Sequence, residues 1–208
     1  MVETQPVIYV VDDDSDVRKA MDTLLRSVGL KVRTFASAAE FLRSKLSDVP
    51  GCLVLDVRMP GMSGLDLQSE MTKANIDIPI IFITGHADVA MAVKVMKAGA
   101  VEFLTKPFHD QDLLDSLQHA VERDRLARQN RAGLVELRQR FNSLTHRQRE
   151  VMEYVVKGLL NKQIAVQLGT SETTIKLHRG QVMHKMQAQS LPDLVRAAVC
   201  LGLASQTY

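Results

Sequence analysis

Residues 53–64 read LVLDVRMPGMSG: an apolar run leads directly into one carboxylate, Asp56, and a loop rich in proline and glycine follows. This order is typical of a buried parallel strand that holds a carboxylate at its C-terminal end. Open α/β sheets carry their chemistry at that edge. The stretch therefore predicts a functional carboxylate at the end of a central strand, although Asp56 taken alone could also cap the following turn.

A second acidic cluster stands nearer the N-terminus, where the apolar run Val7–Val11 leads into Asp12, Asp13 and Asp14. Two strands that both end in carboxylates bring several negative charges to one place. Such a cluster is costly unless it binds a hard cation or one member titrates. The acids therefore indicate Mg²⁺ and phosphoryl chemistry, whereas Asp12–Asp14 alone would fit a solvated loop or a helix N-cap equally well.

Residues 6–108 alternate between short apolar runs and longer amphipathic stretches. The strands are predicted at Val7–Val11, Lys31–Phe35, Cys52–Leu55, Ile78–Thr84 and Glu102–Leu104. The helices are predicted at Asp16–Val28, Ala38–Lys45, Gly64–Ala74, Ala87–Ala98 and from Asp110 onward. Regular alternation of this kind predicts an α/β fold with a doubly wound, five-stranded parallel sheet.

A long helix is predicted from Asp110 to about Gln139, because this stretch has no proline and one glycine, Gly133. It would close the first domain and continue as a linker helix. An apolar stripe follows on one face, formed by Leu134, Leu137, Phe141 and Leu144. The stripe could be a short coiled-coil contact or a packing face against the next domain, and the second is favoured because the heptads do not persist.

The last third of the chain shows only helical patterns. Helices are predicted at His146–Lys157, Asn161–Leu168, Glu172–Met186 and Leu191–Leu201. Gly158 and Gly169 separate the first three, and Ser171 is a suitable N-cap for the third. Two short helices around a glycine-containing turn, the second of them basic, predict a helix-turn-helix within an all-α, four-helix domain.

Length and composition fit one large or two modest domains, since the chain has 208 residues, 46% of them hydrophobic. No run of about 18 apolar residues occurs, and the first residues lack the basic region of a signal peptide. The two cysteines, Cys52 and Cys200, lie in separate halves and form neither a disulfide framework nor a metal motif. We therefore expect a cytoplasmic protein without membrane contact.

Charge is distributed unevenly along the chain. Residues 1–110 carry 12 Lys/Arg against 15 Asp/Glu, whereas residues 143–208 carry eight against four. A basic helix often has only a solvated face, but a basic tail behind an acidic front also fits a domain that binds a polyanion.

Several separated motifs together resemble a known family. In the first half they are the two acidic clusters, Thr84-Gly85-His86 and Lys106-Pro107; in the second they include Gly158-Leu159, Asn161-Lys162 and the run TIKLHR at residues 174–179. In this order they resemble the FixJ branch of two-component response regulators. The resemblance implies a flavodoxin-like receiver domain at residues 1–124, a helical linker at 125–142 and a LuxR-type helix-turn-helix domain at 143–208.

The resemblance assigns roles in the receiver domain residue by residue. Asp56 would be the phosphoacceptor, and Thr84 and Lys106 would contact phosphoryl oxygens. Mg²⁺ would be held by Asp13 and Asp56 directly, by Asp12 mainly through water, and by the backbone carbonyl of Arg58. These assignments agree with the preference of Mg²⁺ for oxygen ligands.

The resemblance also implies a switch and a peptide geometry. Thr84 would move toward the phosphoryl group, and Phe103 would turn inward to fill the vacated space. The Lys106–Pro107 bond would be cis, as in the family.

In the second domain, Glu172–Met186 would be the recognition helix in the major groove. The resemblance implies that the base-facing positions are those of Lys176, Leu177 and Gly180. Further candidates for phosphate or base contacts are Thr173, Thr174, Arg179, Gln181 and Lys185. Gly180 departs from the pattern because it has no side chain: it either permits close approach to DNA or leaves that base unread.

The function that follows is transcription regulation, with activation as the expected outcome. A sensor histidine kinase would phosphorylate Asp56, and the chain would then form a homodimer through Ala87–Ala98 and Glu102–Leu104. Leu191–Leu201 is a second candidate dimer face. The dimer would bind double-stranded promoter DNA and contact RNA polymerase, and the protein would not be an enzyme.

Two other functions share part of this pattern. Phosphatases of the haloacid-dehalogenase type also use an aspartate and Mg²⁺ after a strand, but they need a second aspartate two residues later, where this chain has Arg58. A binding module that switches without phosphate is the other alternative, and the joint presence of Asp13, Asp56, Thr84 and Lys106 disfavours it.

Overall fold

The computed structural model describes residues 5–85 and 89–203, and of Val89 only the backbone. The chain divides into two compact units, residues 1–128 and 129–208. Among the described residues, none of the helices combines the length and the apolar character that crossing a membrane requires.

The first unit is built on a parallel sheet. Its strands are β1 (Val7–Val11), β2 (Lys31–Phe35), β3 (Gly51–Asp56), β4 (Ile80–Thr84) and β5 (Glu102–Thr105). They are arranged in the order β2-β1-β3-β4-β5, and every pair is parallel. The helices between them are α1 (Ser15–Ser27), α2 (Ala38–Arg43), α3 (Gly64–Lys73) and α4 (Val89–Lys97), and α5 (Asp110–Asn142) begins after β5. This architecture confirms the predicted doubly wound α/β sheet.

The central strands β1, β3 and β4 are buried on both faces of the sheet. In β1, Val7, Tyr9 and Val11 pack into one core cluster, while Ile8 and Val10 pack into the other. Side chains alternate between the two faces of a strand, so a strand covered on both sides has to be apolar throughout. The central strands are therefore hydrophobic along most of their length and do not alternate between polar and apolar residues.

Several predicted boundaries differ from the structure by one or two residues. Strand β4 begins at Ile80, not at Ile78, because Pro79 has no N–H to donate to the ladder; Ile78 is nevertheless buried. The helix predicted at Ala87–Ala98 is described as Val89–Lys97. His86, Ala87 and Asp88 lie outside the described residues.

Helix α5 includes the whole of the predicted linker, residues 125–142, and runs through Gly133. In its first part Asp124 is buried, accepts a hydrogen bond from the backbone N–H of Gly51 (2.9 Å) and pairs with Arg128 (2.8 Å). This contact attaches α5 to the start of β3.

The second unit contains the remaining helices: α6 (His146–Val156), α7 (Asn161–Gln167), α8 (Glu172–Met186) and α9 (Leu191–Cys200). The hydroxyl groups of Thr145, Ser171 and Ser190 cap α6, α8 and α9 by accepting backbone N–H groups. Leu137 and Phe141, from the predicted stripe, pack against a core that includes Leu144. The four-helix domain and the predicted N-cap at Ser171 are therefore confirmed.

Gly64, the first residue of α3, permits a close approach that positions the loop after Asp56. Its N–H donates to the carbonyl oxygen of Val57 (3.0 Å). A Cβ atom at this position would lie 2.4 Å from the carbonyl oxygen of Asp56 and 3.1 Å from the ring of Phe82. Both neighbours belong to the packed sheet, so neither has room to move away.

We predict that Gly64→Ala lowers the free energy of unfolding by about 1–3 kcal/mol, the usual cost of overpacking a well-packed site. Thermal unfolding of the full-length protein, followed by circular dichroism, measures this. Gly85→Ala is the matched control, since a Cβ atom there meets no described atom within 4 Å. Equal stability of the two variants would contradict the close approach.

Candidate functional site

The order of the strands explains why the acidic clusters meet. The chain leaves β1 to form β2 on one side and then returns to form β3 on the other side of β1. Val11 pairs with Leu55 in the β1–β3 register, so the next residues, Asp12 and Asp56, emerge side by side. Open α/β sheets bind ligands at the carboxyl ends of the strands where the order reverses.

Three carboxylates lie together at this edge. The ligand oxygens of Asp12, Asp13 and Asp56 are all within 4.8 Å of one another. Asp12 is fully buried and Asp56 is 8% exposed, whereas Asp13 is exposed. The structure thus combines two buried acids with one that faces solvent.

Backbone groups hold the two buried carboxylates in place. Asp12 accepts a hydrogen bond from the N–H of Asp14 (2.9 Å), and Asp56 accepts one from the N–H of Arg58 (3.1 Å). Each therefore keeps one oxygen fixed toward its own loop.

Lys106 contacts the second oxygen of both buried acids. Its Nζ atom donates to Asp12 (2.7 Å) and to Asp56 (3.2 Å). The residue follows β5, its N–H donates to the carbonyl oxygen of Thr84 (2.8 Å), and the Lys106–Pro107 bond is cis as expected. The cation that follows β5 therefore bridges the acid that follows β1 and the acid that ends β3.

The electrostatics follow from burial. Burial raises the pKa of Asp12, because it disfavours the charged carboxylate; hydrogen bonds from Lys106 and from the Asp14 N–H offset only part of this effect. Burial alone would lower the pKa of Lys106, but its hydrogen bonds and charge interactions with Asp12 and Asp56 raise it overall. The lysine therefore carries its charge at neutral pH.

The remaining predicted receiver residues lie in β4, in β5 and in the loop after Asp56. Thr84 ends β4 and is fully buried. Arg58 is exposed, two residues after Asp56. Phe103, in β5, is partly buried and packs against a core cluster. The structure brings Asp12, Asp13, Asp56 and Lys106 into one cluster and places Thr84 at the end of the neighbouring strand.

This donor set suits a hard divalent cation. Carboxylate and backbone carbonyl oxygens are the ligands that Mg²⁺ prefers, and the ion usually keeps several waters. Asp13 has the exposure that such a partly hydrated ion needs, while the buried pair supplies charge.

Helix α8 presents several predicted DNA contacts to solvent. Lys176, Leu177 and Gly180 are exposed, and Leu177 is open over 61% of its area. Thr173 is also exposed, and Thr174 is partly buried at the first turn, where its N–H bonds to Ser171.

Other candidates on α8 already have partners within the domain. Gln181 accepts a hydrogen bond from Gln148 (2.9 Å). Lys185 donates to the carbonyl oxygen of Ser143 and to Gln148 (both 2.9 Å). Arg179 donates to Asn161 (3.1 Å). These side chains therefore connect α8 to α6 and α7 as well as lying near its outer face.

Sequence reasoning missed Gln148, which is only 4% exposed and organises this side of α8. It lies in α6, and its contacts with Gln181 and Lys185 join residues 33 and 37 positions apart. No local pattern indicates such contacts, although a glutamine at the third position of a capped helix is a recognisable signal for the cap itself.

Comparison with known families covers both units. Residues 8–118 match the response regulator receiver domain, and residues 142–198 match the bacterial regulatory proteins of the luxR family.

Relatives match over nearly the whole chain. Nodulation protein W of Bradyrhizobium diazoefficiens is 51% identical over 97% of this chain and 89% of that protein. The transcriptional regulatory protein FixJ of Azorhizobium caulinodans is 43% identical over 98% of this chain and 96% of that protein.

Solved structures of response regulators also match nearly the whole chain. The response regulator StyR matches with a TM-score of 0.84 and 46% identity, over 94% of this chain and 99% of that one. Full-length FixJ from B. japonicum matches with a TM-score of 0.58 and 42% identity, over 96% of this chain and 98% of that one. Regulators that combine these two domains are non-enzymatic transcription factors. The chain therefore belongs to the two-component response regulators, in the FixJ branch, with a receiver domain and a LuxR-type DNA-binding domain.

Proposed function

We propose that this response regulator is gated by phosphorylation of Asp56. A sensor histidine kinase would supply the phosphoryl group, and the phosphorylated chain would dimerise, bind promoter DNA in the cytoplasm and activate transcription with RNA polymerase. The observation that carries the proposal is the contact of Lys106 with both Asp12 and Asp56 at the strand-order reversal.

The pocket supports each chemical part of the transfer. Asp56 keeps one oxygen bonded to the Arg58 N–H, and its other oxygen would form the bond to phosphorus while the phosphorus–nitrogen bond to the kinase's histidine breaks. Lys106 lies 3.2 Å from that second oxygen and would follow the charge onto the phosphoryl group. The buried hydroxyl of Thr84 stands at the end of the adjacent strand and would donate to another phosphoryl oxygen.

The metal ligands proposed are Asp12, Asp13 and Asp56 with the backbone carbonyl of Arg58. Mg²⁺, when bound, would offset the negative charge that builds up on the reacting oxygens. The close grouping of the three carboxylates supports this assignment.

The signal would leave the pocket through the strand ends. Movement of Thr84 toward the phosphoryl group would open space that Phe103, which already packs against the core, would fill. The surface formed by α4 and β5 would then change and favour the homodimer. Val93 and Met96, exposed on α4, support an apolar contact there.

The output would be DNA binding by α8. The exposed row of Lys176, Leu177 and Gly180 supports base contacts in the major groove, and the excess of basic residues in this domain supports contact with phosphates. Helix α9 stays a candidate for a second dimer face. Further candidates for contacts at the edges of the exposed row are Thr173, Thr174, Arg179, Gln181 and Lys185.

We predict that acetyl phosphate with Mg²⁺ adds one phosphoryl group to the wild-type chain and none to Asp56→Asn, as read by intact-protein mass spectrometry. Omission of Mg²⁺ should suppress the labelling of wild type, because Lys106 alone would then have to offset the charge of the acids and of the incoming phosphoryl oxygens. Asp16→Asn, which changes an exposed aspartate on α1, is the matched control and should label like wild type. Labelling of Asp56→Asn at the wild-type rate would place the phosphoacceptor elsewhere.

We also predict that two lysines of α8 act differently. Lys176→Met should weaken specific DNA binding about 10-fold and leave stability unchanged, because the side chain is exposed. Lys185→Met should lower the free energy of unfolding by about 1–2 kcal/mol, because it removes the hydrogen bonds to Ser143 and Gln148. Anisotropy titration and thermal unfolding of both variants measure this; equal behaviour of the two would contradict the assignment.

A further inference from the structure

One face of α8 forms an open groove of about 490 Å³. It is lined by Lys176, Leu177, Gly180, Gln181 and His184, with Gln148 and Lys185 at one side. The α8 residues recur at the spacing of a single helix face. Gly180 stands in the middle of this row, so part of the groove floor is bare backbone.

Packing within the described part of the chain does not require glycine at position 180. A Cβ atom there would meet no described atom within 4 Å, and the backbone is ordinary α-helix rather than left-handed. By contrast, Gly51 and Gly64 have backbone oxygens at 2.6 and 2.4 Å from such a Cβ atom. Glycine is an unfavourable residue in the middle of a helix, so a reason for it has to be sought outside the chain.

Leu177, one turn before Gly180, is the apolar part of the groove. It is 61% exposed although it lies among lysine, glutamine and histidine. The edges of base pairs in the major groove offer one apolar group to a protein, the C5-methyl of thymine. A leucine beside an empty position therefore fits that methyl group better than any hydrogen-bonding base edge.

We propose that Gly180 leaves open a small recess beside Leu177, called the seat below, and that a thymine methyl group binds in it. The inference rests on the proposed binding of DNA by α8 and names what one position of that helix recognises. A side chain at residue 180 would occupy the seat, so the gain in helix stability from alanine would come with a loss of DNA affinity.

The wall of the seat is fixed before DNA arrives. Gln148 is buried and holds both Gln181 and Lys185 at 2.9 Å. A preformed site loses less entropy on binding than one that has to be ordered. Lys176 provides an exposed positive charge beside the seat, which suits the phosphates that flank a base in the major groove.

The test begins with selection of tight-binding sequences from a randomised DNA duplex by the full-length wild-type protein, with Mg²⁺ and beryllofluoride. Each thymine of the selected duplex is then replaced in turn by deoxyuridine, which lacks only the methyl group. We expect one position in each half-site at which this replacement weakens wild-type binding about 3- to 5-fold, the effect of one buried methyl group.

Gly180→Ala identifies the protein side of the contact, and Gly133→Ala is its matched control. Both glycines are inside helices, and a Cβ atom added at either one meets no described atom within 4 Å, so both variants should fold and unfold at or above the wild-type temperature. Gly180→Ala should bind the thymine duplex about 5-fold more weakly, a loss of the size that one mismatched contact can cause, and should no longer distinguish thymine from deoxyuridine at the sensitive position. Gly133→Ala should behave like wild type with both duplexes.

Each outcome bears on the inference. Non-additivity between Gly180→Ala and the deoxyuridine replacement supports the seat, because residues in contact couple. Equal binding by Gly180→Ala and Gly133→Ala, or indifference of wild type to every deoxyuridine, would overturn it. If wild type selects no sequence at all, the proposed DNA-binding function fails, and the inference fails with it. The two outcomes named before overturn the inference alone and leave the DNA-binding function standing.

Discussion

Lys106 lies between two buried carboxylates, and the rest of the first unit is arranged around that contact. Parallel strands send their carboxyl ends to one edge, and the order of β1 and β3 puts Asp12 beside Asp56. Two buried acids so close are destabilising without a cation, and the lysine after β5 supplies one at 2.7 and 3.2 Å. A ligand that changes the charge on Asp56 therefore also acts on Lys106, the residue that directly follows β5.

The strands and the acidic pocket could be predicted because both depend on local patterns and on topology. Apolar runs indicated β1 and β3, and regular alternation with helices indicated a parallel sheet whose carboxyl ends share one edge. The predicted start of β4 was two residues too early, because Pro79 has no backbone N–H to donate to the sheet, although Ile78 is still buried. Contacts between distant residues were not predictable. Asp124 bonds to Gly51, 73 positions away, and the pattern of α5 shows only a charged residue on a helix.

In the DNA-binding domain the sequence identified the helix better than the roles of its side chains. Helix α8 has the predicted bounds, Glu172–Met186. Gln181, Lys185 and Arg179, however, make hydrogen bonds to α6, to α7 or to the segment before α6, so their charge or polarity on a helical wheel does not by itself indicate contact with DNA. A more restricted candidate surface combines one charge, one apolar group and one vacant position, in the exposed residues Lys176, Leu177 and Gly180.

The central claim is that the charge state of Asp56 controls DNA binding. The most direct measurement is the affinity of the full-length protein for its selected duplex, for wild type and Asp56→Asn, with Mg²⁺ and with or without beryllofluoride. The account predicts that beryllofluoride tightens binding and promotes the dimer in wild type alone. If wild type and Asp56→Asn respond alike, the receiver does not act through phosphate, and a switch operated by a partner protein would be the better explanation.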